Sequence, residues 1–168
     1  YNDNKAASNI LAAKQVISTF RCPASAVDAP DPEGYGITDY MPTVYTDISP
    51  IAPYLRDTAM RAAGGLGLKG TRVAEVKDGT SNTIALAEDA GRNYPGIPWT
   101  KYLDGFGFPR NGSRWAEPNN GNGVSGPPVD RTRFINNNST YGGPPTCPWT
   151  TSECGPNDEI FSFHSGGA

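Results

Sequence analysis

Asp78-Gly79-Thr80-Ser81-Asn82-Thr83-Ile84-Ala85-Leu86-Ala87-Glu88 is the stretch that decides the fold class. Its first half is a turn signal, because Asp and Asn side chains bond local backbone amides and Gly frees the chain to reverse. Its second half, Thr83 to Glu88, is short, apolar and bounded, which predicts a buried strand. A turn feeding a short strand is the pattern of a loop-rich domain, and the flanking sequence repeats it.

Gly 20 and Pro 16 make up about a fifth of the 168 residues, against an average nearer 12%. Such punctuation leaves little room for long helices. No apolar run approaches the ~18 residues of a membrane span. Charged residues are 18% and the net charge is -3, with no Lys/Arg cluster, so nucleic acid is not an expected partner. Eight Tyr, six Phe and three Trp argue against wholesale disorder. The length fits a single domain over residues 1–168.

Upstream of the deciding stretch, Asn4 to Ser18 is the best helix candidate, with Asn4 as N-cap and Ile10, Leu11, Val16 and Ile17 at roughly helical spacing. Phe20 to Pro23 reads as a short strand ended by proline, and residues 23–36 as a loop. Thr38 to Tyr45 reads as a strand interrupted at Pro42. Tyr54 to Ala63 reads as a short helix closed by Gly64-Gly65, and Thr71 to Val76 as a strand or one helical turn. Downstream, residues 91–155 form a long loop-rich insertion, within which Ser113 to Ala116 and Arg133 to Ile135 are strand candidates. Ile160 to His164 closes as a strand. The expected core packs Ile10, Leu11, Val16 and Ile17 against Val76, Ile84, Leu86 and Phe161. The fold class is therefore α+β, a helix laid on a small antiparallel sheet with long Gly/Pro/Asn-rich loops.

Three cysteines are present, Cys22, Cys147 and Cys154. The last two flank a six-residue stretch that includes Pro148, so a bridge between them is geometrically feasible; the alternative is three free thiols. A zinc site is disfavoured by the presence of one histidine, His164. His164 beside Ser165 invites a hydrolase reading, but neighbours on a strand point to opposite faces and no Gly-x-Ser-x-Gly elbow occurs. A structural hydrogen-bonding role for His164 is preferred, and no catalytic residue is assigned. Trp99, Trp115 and Trp149 either line a sugar-binding face or form the core; the core reading is favoured. Asn111, Asn137 and Asn138 sit in Asn-x-Ser/Thr and are glycan acceptors where the cellular machinery exists.

Four segments occur in order: Phe20-Arg21-Cys22-Pro23-Ala24-Ser25; Thr38-Asp39-Tyr40; Asp78-Gly79-Thr80-Ser81-Asn82-Thr83-Ile84 with Glu88; and His164-Ser165-Gly166-Gly167-Ala168. This order resembles the planctomycete-type pseudopilin-like family, which joins a prepilin-type cleavage and methylation segment to a domain of unknown function also filed as solute-binding family 10. The chain departs from the family at Ala24-Ser25, where Ser-Asp is usual. It also lacks the family's hydrophobic N-terminal helix and the strand after Gly-Gly-Ala, so we expect a head domain cut at both ends.

The resemblance implies the head of an extracellular or cell-surface pilin-like subunit, forming or decorating a filament or secretion-type assembly without catalysis. Its partners would be copies of itself or other pilin-like subunits, with glycans as possible decoration and membrane contact only through the absent helix. Related pseudopilins use calcium in head loops, which makes Asp78, Asp104, Glu117, Asp158 and Glu159 candidate calcium ligands. The competing reading of Asp78 to Asn82 is an Asx-type turn. The alternative function is a surface or periplasmic binding module for a sugar or cation, or an accessory subunit of a larger complex.

Overall fold

The computed structural model describes residues 6–66, 70–97, 101–103, 109–117, 120–127, 139–151 and 154–164. Among them the architecture is α+β, with one short α-helix and a four-stranded sheet. The helix α1 spans Ala7–Ala13; the strands are β1 (Tyr40–Asp47), β2 (Ala62–Ala63), β3 (Leu86–Glu88), β4 (Lys101–Leu103), β5 (Pro109–Asn111) and β6 (Asn122–Ser125).

Strand β1 organises the sheet. Its first residues pair antiparallel with β3, setting Tyr40 opposite Glu88 and Pro42 opposite Leu86. Its later residues pair antiparallel with β2, and β6 runs parallel to it from Thr43 to Asp47 with a bulge before Tyr45. The sheet is thus mixed, where a purely antiparallel one was expected. Strands β4 and β5 form a separate hairpin-like pair.

Pro42 does not interrupt β1. Thr43 N–H donates to the Ala85 carbonyl, so the Pro42–Leu86 pair falls between hydrogen-bonded pairs. Pairing with β6 begins only at Thr43, so the missing proline N–H costs neither ladder a bond.

Several elements differ from the sequence reading. Helix α1 is shorter than expected and begins at Ala7 without a side-chain cap; Asn4 lies outside the described residues. Ala13 is its one buried residue, while Leu11 and Val16 stand exposed. The helical segment is tied down through backbone instead: the Ala13 carbonyl accepts from Gly36 N–H, and the Gln15 carbonyl accepts from the Trp115 indole. Phe20 to Pro23 is no strand, because Ser18–Phe20 closes a 3-10 turn. Tyr54 to Ala63 is no helix. Asp57 caps a 3-10 turn at Thr58–Met60, and Ala62–Ala63 then joins β1. Arg61 draws the chain there by pairing with Asp47 at 2.8 Å and stacking on Tyr45. Val73–Glu75 is a single helical turn, and Asp78 to Asn82 a turn closed by the 3-10 residues Thr80–Asn82, both within expectation. Ser113 to Ala116 and Ile160 to His164 contribute isolated bridges at Arg114 and Phe161 rather than strands; Arg133 to Ile135 lie outside the described residues.

The expected core of helix against strand is not formed. Ile84, ahead of β3, and Leu86, its first residue, are both exposed, Leu86 by 62%. The apolar centre is instead Ile97, Trp149 and Phe161, with Tyr94 and Phe163 packed around it. Trp149 contacts Tyr94, Phe161 and Phe163 edge-on at 5.1–5.5 Å between ring centroids. The loop carrying it is closed by a Cys147–Cys154 disulfide with Cα atoms 5.2 Å apart. At Gly143 (φ +80°) a Cβ would stand 2.4 Å from the Cys147 carbonyl, so the turn into this loop requires glycine.

A second nucleus is polar. Asp47 and Glu159 both accept from Ser125, Arg56 and Arg61 pair with Asp47, and Tyr45 donates to Asp158 and Glu159 at 3.0 and 3.1 Å. Burial pushes Asp47 upward, yet Ser125, Arg61 and Arg56 together hold its carboxyl below the usual range. Such buried carboxylates persist because each is hydrogen-bonded or paired.

Candidate functional site

Where β1 and β3 pair, three chain segments meet. Tyr40 lies opposite Glu88, and Asp39, one residue earlier, ties down the 20–22 segment. Asp39 N–H donates to the Phe20 carbonyl, and the Asp39 carboxylate accepts from the Cys22 N–H at 2.8 Å and from Arg21 at 3.2 Å. The third segment comes from the other end of the chain. Phe161 N–H donates to the Glu88 carbonyl and its own carbonyl accepts from Ala90, laying residues 160–164 alongside β3. Phe161 and Phe163 turn into the aromatic centre, and His164 turns toward Cys22.

Cys22, Glu88 and His164 therefore converge: one potential ligand atom from each lies within 4.8 Å of the other two. His164 Nε2 is 3.3 Å from Cys22 Sγ and 3.8 Å from Glu88 Oε2. Cys22 is buried, the Glu88 side chain is 10% exposed and the His164 side chain 52% exposed, so the cluster is closed on one side and open at the imidazole. Glu88 Oε1 is buried and accepts no hydrogen bond among the described residues. The Ala24 N–H points at Cys22 Sγ from 3.4 Å. Burial, then the facing Glu88 carboxylate, push the Cys22 thiol upward, against the pull of Ala24 N–H. Burial likewise raises Tyr40, whose hydroxyl also interacts with Cys22.

A Cys-His-Glu relay uses one imidazole nitrogen for the thiol and the other for the carboxylate. Here the same nitrogen, Nε2, faces both. Three potential ligand atoms within 4.8 Å of one another match instead the spacing that could hold a metal ion.

The residues singled out in the sequence are otherwise dispersed. Asp78 sits on the exposed turn, its carbonyl accepting from Asn82. Glu117 accepts from Asn111 N–H, and Asp158 and Glu159 bond Tyr45 in the polar nucleus. Among the described residues, Cys22, Glu88 and His164 are the group of three that meets ligand spacing, and none of the acidic candidates belongs to it. Asn111 is buried, with its amide donating to Asp31 and its oxygen accepting from Ser113. Thr83 donates to the Gly79 carbonyl within the turn. Asp104, Asn137, Asn138, Gly166, Gly167 and Trp99 lie outside the described residues. Trp149 is buried in the core and Trp115 lines a different groove, so these two do not share a sugar-binding face.

Sequence reasoning assigned Cys22 and Glu88 no role of their own. The available signal was that Cys22, Glu88 and His164 each belong to a separate one of the quoted segments. No curated protein and no solved structure is significantly similar to the chain. A family model matches residues 1–168, and the chain belongs to the family described as SBP_bac_10, protein of unknown function (DUF1559).

Proposed function

We propose that this chain is the head domain of an extracellular pilin- or pseudopilin-like subunit, non-catalytic, that forms or decorates a surface filament. The observation that carries the reading is an open apolar groove of about 480 Å³ lined by Phe20, Tyr40, Pro42, Leu86 and Trp115. Leu86 is 62% exposed and lines this groove, so its apolar wall is available to a partner. The partner is a neighbouring pilin-like subunit. The Cys147–Cys154 bridge supports an oxidising, extracytoplasmic location.

Negative-stain microscopy of native material, with intact mass and peptide mapping, tests this. Filaments carrying this chain behind an N-methylated apolar segment are expected, and Leu86→Lys should abolish them. A discrete particle with no such segment would overturn the proposal. A sugar-binding module is the second reading, supported by a groove of about 430 Å³ where Tyr94 and Tyr141 stand beside Asn93. Glycan-array binding that disappears in Tyr141→Ala would favour it over assembly.

A further inference from the structure

We propose that Cys22 Sγ, His164 Nε2 and a Glu88 carboxylate oxygen bind one thiophilic divalent transition-metal ion, of the zinc class. Four observations converge on this. One potential ligand atom from each residue lies within 4.8 Å of the other two. Cys22 Sγ and His164 Nε2 are in contact at 3.3 Å, and the same nitrogen stands 3.8 Å from the Glu88 carboxylate. Glu88 Oε1 is buried and accepts no hydrogen bond among the described residues. The Ala24 N–H donates to Cys22 Sγ at 3.4 Å, which fixes the position of the sulfur.

The donor set decides the metal class. Thiolate and imidazole select zinc-like ions, whereas calcium takes oxygen ligands alone. Three protein ligands leave one tetrahedral position, and the exposed imidazole side opens it to solvent. Binding releases the Cys22 thiol proton to water, so affinity rises with pH. Asp39 acts as a positioning residue, holding the Cys22 backbone through its N–H.

Cobalt(II) titration of the 168-residue chain, disulfide intact, tests the site. One equivalent is expected to bind with a thiolate-to-cobalt charge-transfer absorption and the intense visible bands of a tetrahedral ion, and zinc should displace it while excess calcium does not. Cys22→Ser should remove the charge-transfer band. Glu88→Gln and His164→Gln should weaken binding, and Asp39→Asn should weaken it by about tenfold with the band retained. His164→Gln is a partly exposed position, so it reports on binding even where Cys22→Ser disturbs folding. Absence of stoichiometric cobalt binding, or an unchanged spectrum in both Cys22→Ser and His164→Gln, would overturn the proposal. Filament formation is not read in this experiment, so its outcome is independent of the assembly role.

Discussion

The two cysteine environments of this protein are built on opposite physical terms. Around Cys147 and Cys154 the chain is covalently closed and surrounds Trp149, which is 2% exposed, with aromatic rings. Around Cys22 the thiol is free and its neighbours are a carboxylate, an imidazole and a phenol. The first region converts sequence into stability; the second holds polar groups in a costly arrangement that apolar packing would not choose. One short segment joins them, since Phe161 and Phe163 fill the aromatic centre while His164, the next residue, completes the polar site. Anchoring on rigid packing is what holds an exposed imidazole near a buried thiol.

The sharpest way to break this contrast is Trp149→Ala. It should cost about 3–5 kcal/mol by cavity formation, read from denaturant unfolding. The same unfolding should release His164 from Cys22, so cobalt binding is expected to fall with it. Replacing both Cys147 and Cys154 by Ser should cost about 2 kcal/mol, because the closed loop is short and the entropy gained by the unfolded chain is correspondingly modest. A loss well above that would mean the bridge also positions Trp149.

Asp47→Asn probes the polar nucleus. A loss of about 2 kcal/mol at neutral pH is expected, less than the ~3–5 for a fully buried pair, since Arg56 and Arg61 both reach solvent. Asp47 is held below its ordinary value, so its contribution is complete above the unfolded carboxylate range and is lost as pH falls through the depressed folded value. Stability curves of the parent and the variant should therefore converge below about pH 4. The smallest effect is expected for Leu86→Lys, whose side chain is mostly in water: unfolding free energy within about 0.5 kcal/mol of the parent, with only subunit association altered.

The contrast also explains what was legible in the sequence. The turn at Asp78 to Asn82 was readable because Asx and glycine chemistry acts over a few residues. The placement of β1 was readable from its β-branched and aromatic residues, although Pro42 misled until pairing parity placed its missing N–H outside both ladders. The core was not readable. Leu11, Val16, Ile84 and Leu86 have the composition of core residues, yet burial depends on what lies opposite, and among the described residues all four stand exposed. Tyr54 to Ala63 failed as a helix: Tyr54 stands at φ 59°, Asp57 caps only a 3-10 turn, and Ala62–Ala63 pair with β1.

By itself the sequence determined a loop-rich α+β class, a short bridgeable cysteine pair and membership of the family. Tertiary structure alone decided which aromatic residues became the centre and which polar residues met. Cys22 and His164 stand 142 residues apart, and they touch only because β1 pairs with β3 while the 160–164 segment runs beside it. Local propensity extends over a few residues along the chain, whereas a site assembled from three distant segments is set by strand register and by the burial that holds it.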